Sequence, residues 1–118
     1  TVEVALTLPI FFLVLLMSIE AARLNTLRNT IENAAYEGAR AGIVPGASTT
    51  DVTDTITPLM KVIGAKNVTV TTNPTVITDS DTTITVTVDA PLSSNSWIGR
   101  TTSQHIIRSC TLSRERIK

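Results

Sequence analysis

Sixteen consecutive residues near the start of the chain, from Val4 to Ile19, carry no charge. As a helix this run spans about 24 Å, and the hydrocarbon core of a bilayer is about 30 Å thick. The neighbouring residues at positions 2–3 and 20–22 extend the run to a spanning length, with Glu3 and Glu20 at its two margins. The sequence therefore predicts a membrane-spanning helix.

The residues on either side of the run argue against a cleaved secretory signal. Such a signal has a basic start, a shorter apolar stretch and a small-residue cleavage site. Here the start is the acidic tripeptide TVE, and the nearest bases, Arg23 and Arg28, follow the run. The positive-inside rule, taken literally, would leave these arginines in the cytoplasm. We expect instead a mature product that begins at Thr1 after removal of a basic leader.

Glu3 and Pro9 are unusual residues in a membrane segment. A carboxylate costs about 2.5–3.5 kcal/mol at the centre of a bilayer and less at its edge. Glu3 is therefore either solvated at the interface or paired, and the partner we expect is the N-terminal amine of a neighbouring subunit. Pro9 offers no N–H to the carbonyl of Ala5, which predicts a kink or a locally open turn.

The helical pattern continues beyond Glu20. Apolar and small residues recur at steps of three and four, at Ala21, Leu24, Leu27, Ile31, Ala34, Ala35 and Gly38. One helix of about forty residues, roughly 60 Å long, is predicted from Val2 to about Ala41 and ends at Gly42. Its small residues allow either ordinary core packing or the close approach of a sheet, at Ala34, Ala35, Gly38 and Ala39.

The rest of the chain has the pattern of a small α+β head. Ser48, Thr49 and Thr50 offer N-caps for a second short helix that ends before Gly64, and Pro58 is expected to bend or divide it. Alternating residues then predict a hairpin around residues 79–81, with one face formed by Val68, Val70 and Thr72 and then by Ile84, Val86 and Val88. A third strand near the C-terminus is predicted from the alternation of Ile106, Arg108, Cys110, Leu112 and Arg114 with the residues between them.

The predicted fold class is therefore α+β. A long N-terminal helix, apolar and then amphipathic, packs on a small antiparallel three-stranded sheet with a second short helix. We divide the chain into a membrane or filament-core segment (1–22), an amphipathic continuation (23–44) and the head (45–118). The segment from Pro91 to Gly99 is expected to be a loop that carries Trp97, and residues 114–118 a basic tail.

The residues that could carry chemistry form no catalytic pattern. Ten Lys and Arg balance ten Asp and Glu, which argues against nucleic-acid binding. Cys110 lies five residues from His105, an odd step that puts them on opposite faces of a strand, so we expect a core thiol and a surface histidine. Asp79 and Asp81 are fewer carboxylates than a calcium site uses. We predict no enzyme, no cofactor, no metal and no small-molecule substrate.

Apolar side chains surround the first half of the long helix, and one small head cannot cover them all. Lipid and then identical helices in a bundle would cover them in turn. A contact repeated by a screw operation yields an open filament. We expect Thr1, Glu3 and Pro9 to act in assembly, and the following side chains to pack in the filament core: Val4, Leu6, Leu8, Phe11, Phe12, Leu15, Leu16 and Ile19.

Three elements in the first forty-two residues carry a family resemblance: VEVALTLP at 2–9, EAAR at 20–23 and NAAYEGAR at 33–40. Together they resemble the N-terminal signature of TadE-like pilins, pseudopilins of the tight-adherence branch of type IV filaments. The resemblance implies cleavage before Thr1 by a prepilin peptidase, an inner-membrane assembly machinery and an extracellular or cell-surface filament. In that superfamily the assembly glutamate is typically the fifth mature residue, whereas Glu3 is the third here.

Three functions stay open at this stage. The chain is the bulk subunit of a Tad-type filament, a minor or priming pseudopilin of such a filament, or a bitopic membrane anchor whose head binds a partner without polymerising. The first is our prediction. In the first two, the chain resides in the cytoplasmic membrane before assembly and on the cell surface afterwards.

Overall fold

The computed structural model describes residues 1–97 and 103–114. A long helix is followed by a short helix, a hairpin, a one-turn helix and a last strand, which confirms the predicted α+β class. The elements are α1 (Val2–Gly42), α2 (Thr49–Val62), β1 (Thr69–Asn73), β2 (Thr83–Pro91), α3 (Leu92–Asn95) and β3 (His105–Ser113). The molecule is elongated, with extents of 77 × 22 × 18 Å.

The long helix α1 has 41 residues and ends at Gly42 as predicted. It runs without interruption through Pro9, so the locally open turn expected there is wrong. Proline removes one N–H from the ladder, but the neighbouring turns keep their bonds. For example, the Ala5 N–H donates to the Thr1 carbonyl over 3.1 Å, and the Thr7 hydroxyl donates to the Glu3 carbonyl over 2.8 Å.

The second half of α1 forms the spine of the head. It packs against α2, β2 and β3. The predicted small residues of this half are buried. At Gly38 a side chain of α2 fills the space that a larger residue would need, because a Cβ there would lie 2.5 Å from Ile56 Cδ1. The buried core comprises Leu27, Ile31, Ala34, Ala35, Ala39, Val52, Ile56, Met60, Ile84, Val86, Val88, Ala90 and Ile106.

The three strands form one antiparallel sheet in the order β1-β2-β3. Val88 of β2 lies opposite Val70 and Arg108, and Val86 lies opposite Thr72 and Cys110. Every second residue of β2 is buried, because side chains alternate across a strand and only one face meets the helices. The predicted inward face is therefore confirmed for this strand, and Cys110 is half-buried as expected.

Helix α2 begins with a capping box. The Asp51 N–H donates to the Ser48 hydroxyl, and the Ser48 N–H donates to Asp51 Oδ2 over 2.7 Å. The Ser48 hydroxyl also donates to Asp51 Oδ2, over 2.9 Å. The Ser48 N–H first and the Ser48 hydroxyl second thereby hold the pKa of Asp51 below its ordinary value. The helix then continues through Pro58 as one piece, so the predicted break is wrong. Burial of Val52, Ile56 and Met60 on one face outweighs the single bond that proline removes.

The segment expected to be a loop from Pro91 to Gly99 is partly regular. Pro91 ends β2, and Leu92–Asn95 form the one-turn helix α3. Buried Asn95 ties this turn to the chain after α2: its Oδ1 accepts from the Lys66 N–H over 2.7 Å, and its Nδ2 donates to the Lys66 carbonyl over 2.9 Å. The expectations for residues 98–99 and 115–118 lie outside the described residues.

Candidate membrane and assembly segment

The first half of α1 projects from the head with its apolar side chains uncovered. Thirteen large apolar residues between positions 2 and 19 are exposed, with between 43% and 73% of their surface accessible. They include all eight residues predicted to pack in a filament core: Val4, Leu6, Leu8, Phe11, Phe12, Leu15, Leu16 and Ile19. We call residues 2–19 the apolar segment.

By its length and composition, α1 is able to cross a membrane, and the apolar segment is its uncovered part. The eighteen residues of this segment span about 27 Å, close to the thickness of a hydrocarbon core of about 30 Å. Leaving thirteen such side chains in water forgoes up to roughly 20–40 kcal/mol, at about 1.5–3 kcal/mol each. A folded domain is stable by only about 5–15 kcal/mol. Water is therefore not the environment for which this surface is suited.

The three residues predicted to act in assembly lie at the free end of this segment. Thr1 precedes the first turn of α1, and Glu3 is exposed within that turn. Among residues 1–97 and 103–114, the ion pairs lie in the head, and Glu3 forms none with a cation of its own chain. Pro9 follows within the same continuous helix. The assembly roles of these residues stay predictions.

The boundary between the apolar segment and the head has a feature that the sequence analysis missed. Glu20, expected at a membrane margin, is only 2% exposed. Its Oε1 accepts hydrogen bonds from the Ser96 hydroxyl and, over 2.9 Å, from the Trp97 N–H. The Arg23 guanidinium lies 5.7 Å from the centre of the Trp97 ring, within cation–π range.

The pattern of α1 contained a signal for this burial. Glu20 precedes Leu27 by seven residues and Ile31 by eleven, so it lies on the same face as the buried stripe of the head. An acid on a buried stripe needs hydrogen-bond donors from elsewhere in the fold. Those donors come from residues 96–97, which no local pattern could have indicated.

The polar residues of the head that were considered for chemistry have structural partners. His105 is exposed, as predicted, and its Nδ1 lies 2.7 Å from Asp89 Oδ1. Asp81 accepts from the Thr78 N–H over 2.7 Å and from the Thr78 hydroxyl, and these bonds hold the pKa of Asp81 below its ordinary value. Within the described part of the chain, no three His, Cys, Asp or Glu residues are grouped as metal ligands.

The comparison with known families points to the same end of the molecule. Residues 1–40 match the TadE-like protein family. The match confirms the resemblance seen in the sequence and indicates a protein associated with the Tad pilus. It covers the apolar segment and most of the buried half of α1, whereas residues 41–118 lie outside it. Neither the curated proteins nor the solved structures include a significant match.

Proposed function

We propose that this chain is a structural subunit of a Tad-type, type IV-like filament, held in the membrane by its apolar segment and then polymerised through the same segment. The observation that carries the proposal is the exposure of every large apolar side chain from Val2 to Ile19 on a helix that also anchors a folded head. The match of residues 1–40 to the TadE-like family supports it. The role is structural and not enzymatic.

One surface serves two environments in this scheme. In the membrane the apolar segment contacts acyl chains, and in the filament it contacts the same segment of neighbouring subunits. Both are apolar, so transfer between them does not return these side chains to water. The proposed partners are lipid, identical subunits, a prepilin peptidase that acts before Thr1 and an inner-membrane assembly machinery.

Glu3 is the proposed register element of the filament. Its carboxylate is exposed in the first turn of α1, and the apolar side chains around it would make an unpaired charge costly inside a bundle. The amine at Thr1 of an adjacent subunit is a cation of the right kind at the same end of the helix. Pairing the two neutralises both charges and selects one axial offset between subunits.

The test is a comparison of Glu3→Ala with Glu32→Ala in cells that express the chain. Glu32 is an exposed acid on the same helix but lies in the half that packs with the head. We expect Glu3→Ala to stay membrane-inserted and to yield few or no filaments in a sheared surface fraction viewed by negative-stain microscopy. Glu32→Ala should polymerise normally. Normal filaments from Glu3→Ala would refute the register role.

A minor or priming pseudopilin is the second candidate, because residues 1–40 match the TadE-like family and the resemblance to that family implies such a role. The amount of chain in the sheared fraction, with its N-terminal sequence, separates the candidates. Filaments made chiefly of chains beginning at Thr1 support the bulk subunit. Trace amounts of the processed chain support the minor one, and a chain retained in the membrane with a basic leader supports a bitopic anchor.

A further inference from the structure

The junction of the apolar segment and the head carries an exposed indole. Trp97 is 60% exposed although its own backbone N–H is bonded to the buried carboxylate of Glu20. Its ring also faces the Arg23 guanidinium at 5.7 Å. The backbone is therefore held against α1 while most of the side chain is directed to the surroundings.

The position of the Trp97 indole along the axis of α1 is determined by the hydrogen bond between the Trp97 N–H and Glu20. Glu20 follows directly after Ile19, the last exposed residue of the apolar segment. A backbone atom of Trp97 lies 2.9 Å from the Glu20 carboxylate, so the tryptophan sits where the apolar surface ends. When the apolar segment fills the hydrocarbon core, this level coincides with the boundary between acyl chains and headgroups.

Tryptophan and arginine have the chemistry of that boundary. An indole buries an apolar body beside the acyl chains and keeps its N–H among polar groups, and an arginine extends its guanidinium toward lipid phosphate. We propose that Trp97, with Arg23 beside it, anchors the head to the headgroup layer of the bilayer while the subunit is stored. This inference rests on the membrane storage in the proposed function.

Glu20 is the positioning residue of this anchor. Its Oε1 accepts from both Ser96 and Trp97, which ties the segment after α3 to the first turn of α1 inside the head. The two partners are 76 and 77 residues from Glu20 in the sequence, so this bond determines which side of the molecule presents the indole. A neutral side chain with an oxygen acceptor, as in Glu20→Gln, should keep the anchor in place, whereas Glu20→Ala should release it.

The chain contains a single tryptophan, so its fluorescence reports this site alone. The experiment reconstitutes the full chain in phosphatidylcholine vesicles that carry a nitroxide quencher on the headgroup, high on the acyl chain or near its end. We expect Trp97 to lose most of its emission to the two shallow quenchers and little to the deep one. In Glu20→Ala the loss should fall, and in Glu20→Gln it should be retained.

The control moves the tryptophan away from the junction. Tyr36 is exposed on α1, sixteen residues beyond Glu20 and therefore about 24 Å farther along the helix. The double variant Trp97→Phe, Tyr36→Trp should show little quenching by any of the three lipids. Equal quenching of the wild-type chain and this variant would overturn the anchor, because it would indicate that the whole head adsorbs to the bilayer.

Flotation of the vesicles distinguishes the two ways in which the idea can fail. A chain that floats with the vesicles but keeps its full Trp97 emission is inserted without the anchor, which overturns this inference and leaves the proposed function intact. A chain that does not float at all refutes membrane storage, and with it both the inference and that part of the proposed function.

Discussion

The two halves of α1 share one continuous helix but have opposite surroundings. From Val2 to Ile19 every large apolar side chain is exposed, whereas from Glu20 to Gly42 eight residues are buried within the head. The first half is apolar on all sides, and the second has one narrow stripe of small and apolar residues. A helix that is apolar all round needs lipid or other subunits to cover it, whereas a helix with one narrow apolar stripe can be covered by the rest of its own chain.

The sharpest test of this difference compares a truncation in each half. Ile31→Ala removes a fully buried side chain of the core and should lower the free energy of unfolding of the head by about 2–5 kcal/mol. Leu16→Ala, in the exposed half, should change it by less than about 0.5 kcal/mol. Urea unfolding of the full chain in detergent, followed by Trp97 fluorescence, measures both. Equal losses would mean that the apolar segment contributes to the head.

A second test enlarges Gly38, where a side chain on α1 would meet α2. In Gly38→Val the new Cβ meets Ile56 Cδ1 at 2.5 Å and the branch adds further bulk, so we expect a loss of about 1–3 kcal/mol. Asn33→Val places the same side chain at an exposed position of the same helix. Because valine is a better helix former than glycine, helix propensity alone would stabilise Gly38→Val. The difference between the two unfolding curves isolates the crowding. An unchanged midpoint for Gly38→Val would contradict the close contact with α2.

The smallest expected effect is a pH dependence that arises in α2, the partner helix of the buried half. The pKa of Asp51 is lowered in the folded state by the Ser48 N–H and hydroxyl, so the ionised carboxylate stabilises α2. This contribution is fully present above the ordinary Asp pKa of about 3.9 and is lost as the pH falls through the lower folded-state pKa. The helicity of the apolar segment should not follow it.

Asp51→Asn against Asp54→Asn measures that contribution in thermal unfolding curves recorded from neutral to acidic pH. Both residues are exposed on α2, but only Asp51 belongs to the capping box. In Asp51→Asn the unfolding temperature should decrease less between neutral and acidic pH than in the wild type. In Asp54→Asn it should decrease as in the wild type. Identical profiles for the two variants would show that the cap makes no contribution in this pH range.

Local patterns were sufficient where one periodicity covered a whole element. The end of α1 at Gly42, an N-cap among residues 48–50 and the alternating face of β2 were all predicted, because each depends on residues within a few positions of one another. The open turn expected at Pro9 and the break expected at Pro58 were wrong, because one missing bond does not decide a whole helix. Pro9 and Pro58 each remove one local bond, but the surrounding turns and, for Pro58, the buried face of α2 keep the helices continuous.

By itself the sequence determined the order and type of the main elements, the apolar character of residues 2–19 and the family resemblance of the first forty-two residues, because these follow from composition and spacing along the chain. Only the tertiary structure decided the burial of Glu20, the turn at Leu92–Asn95 and the presentation of Trp97 at the end of the apolar surface. Each depends on groups far apart in sequence. The carboxylate of Glu20 can be buried because donors 76 and 77 residues away replace its water.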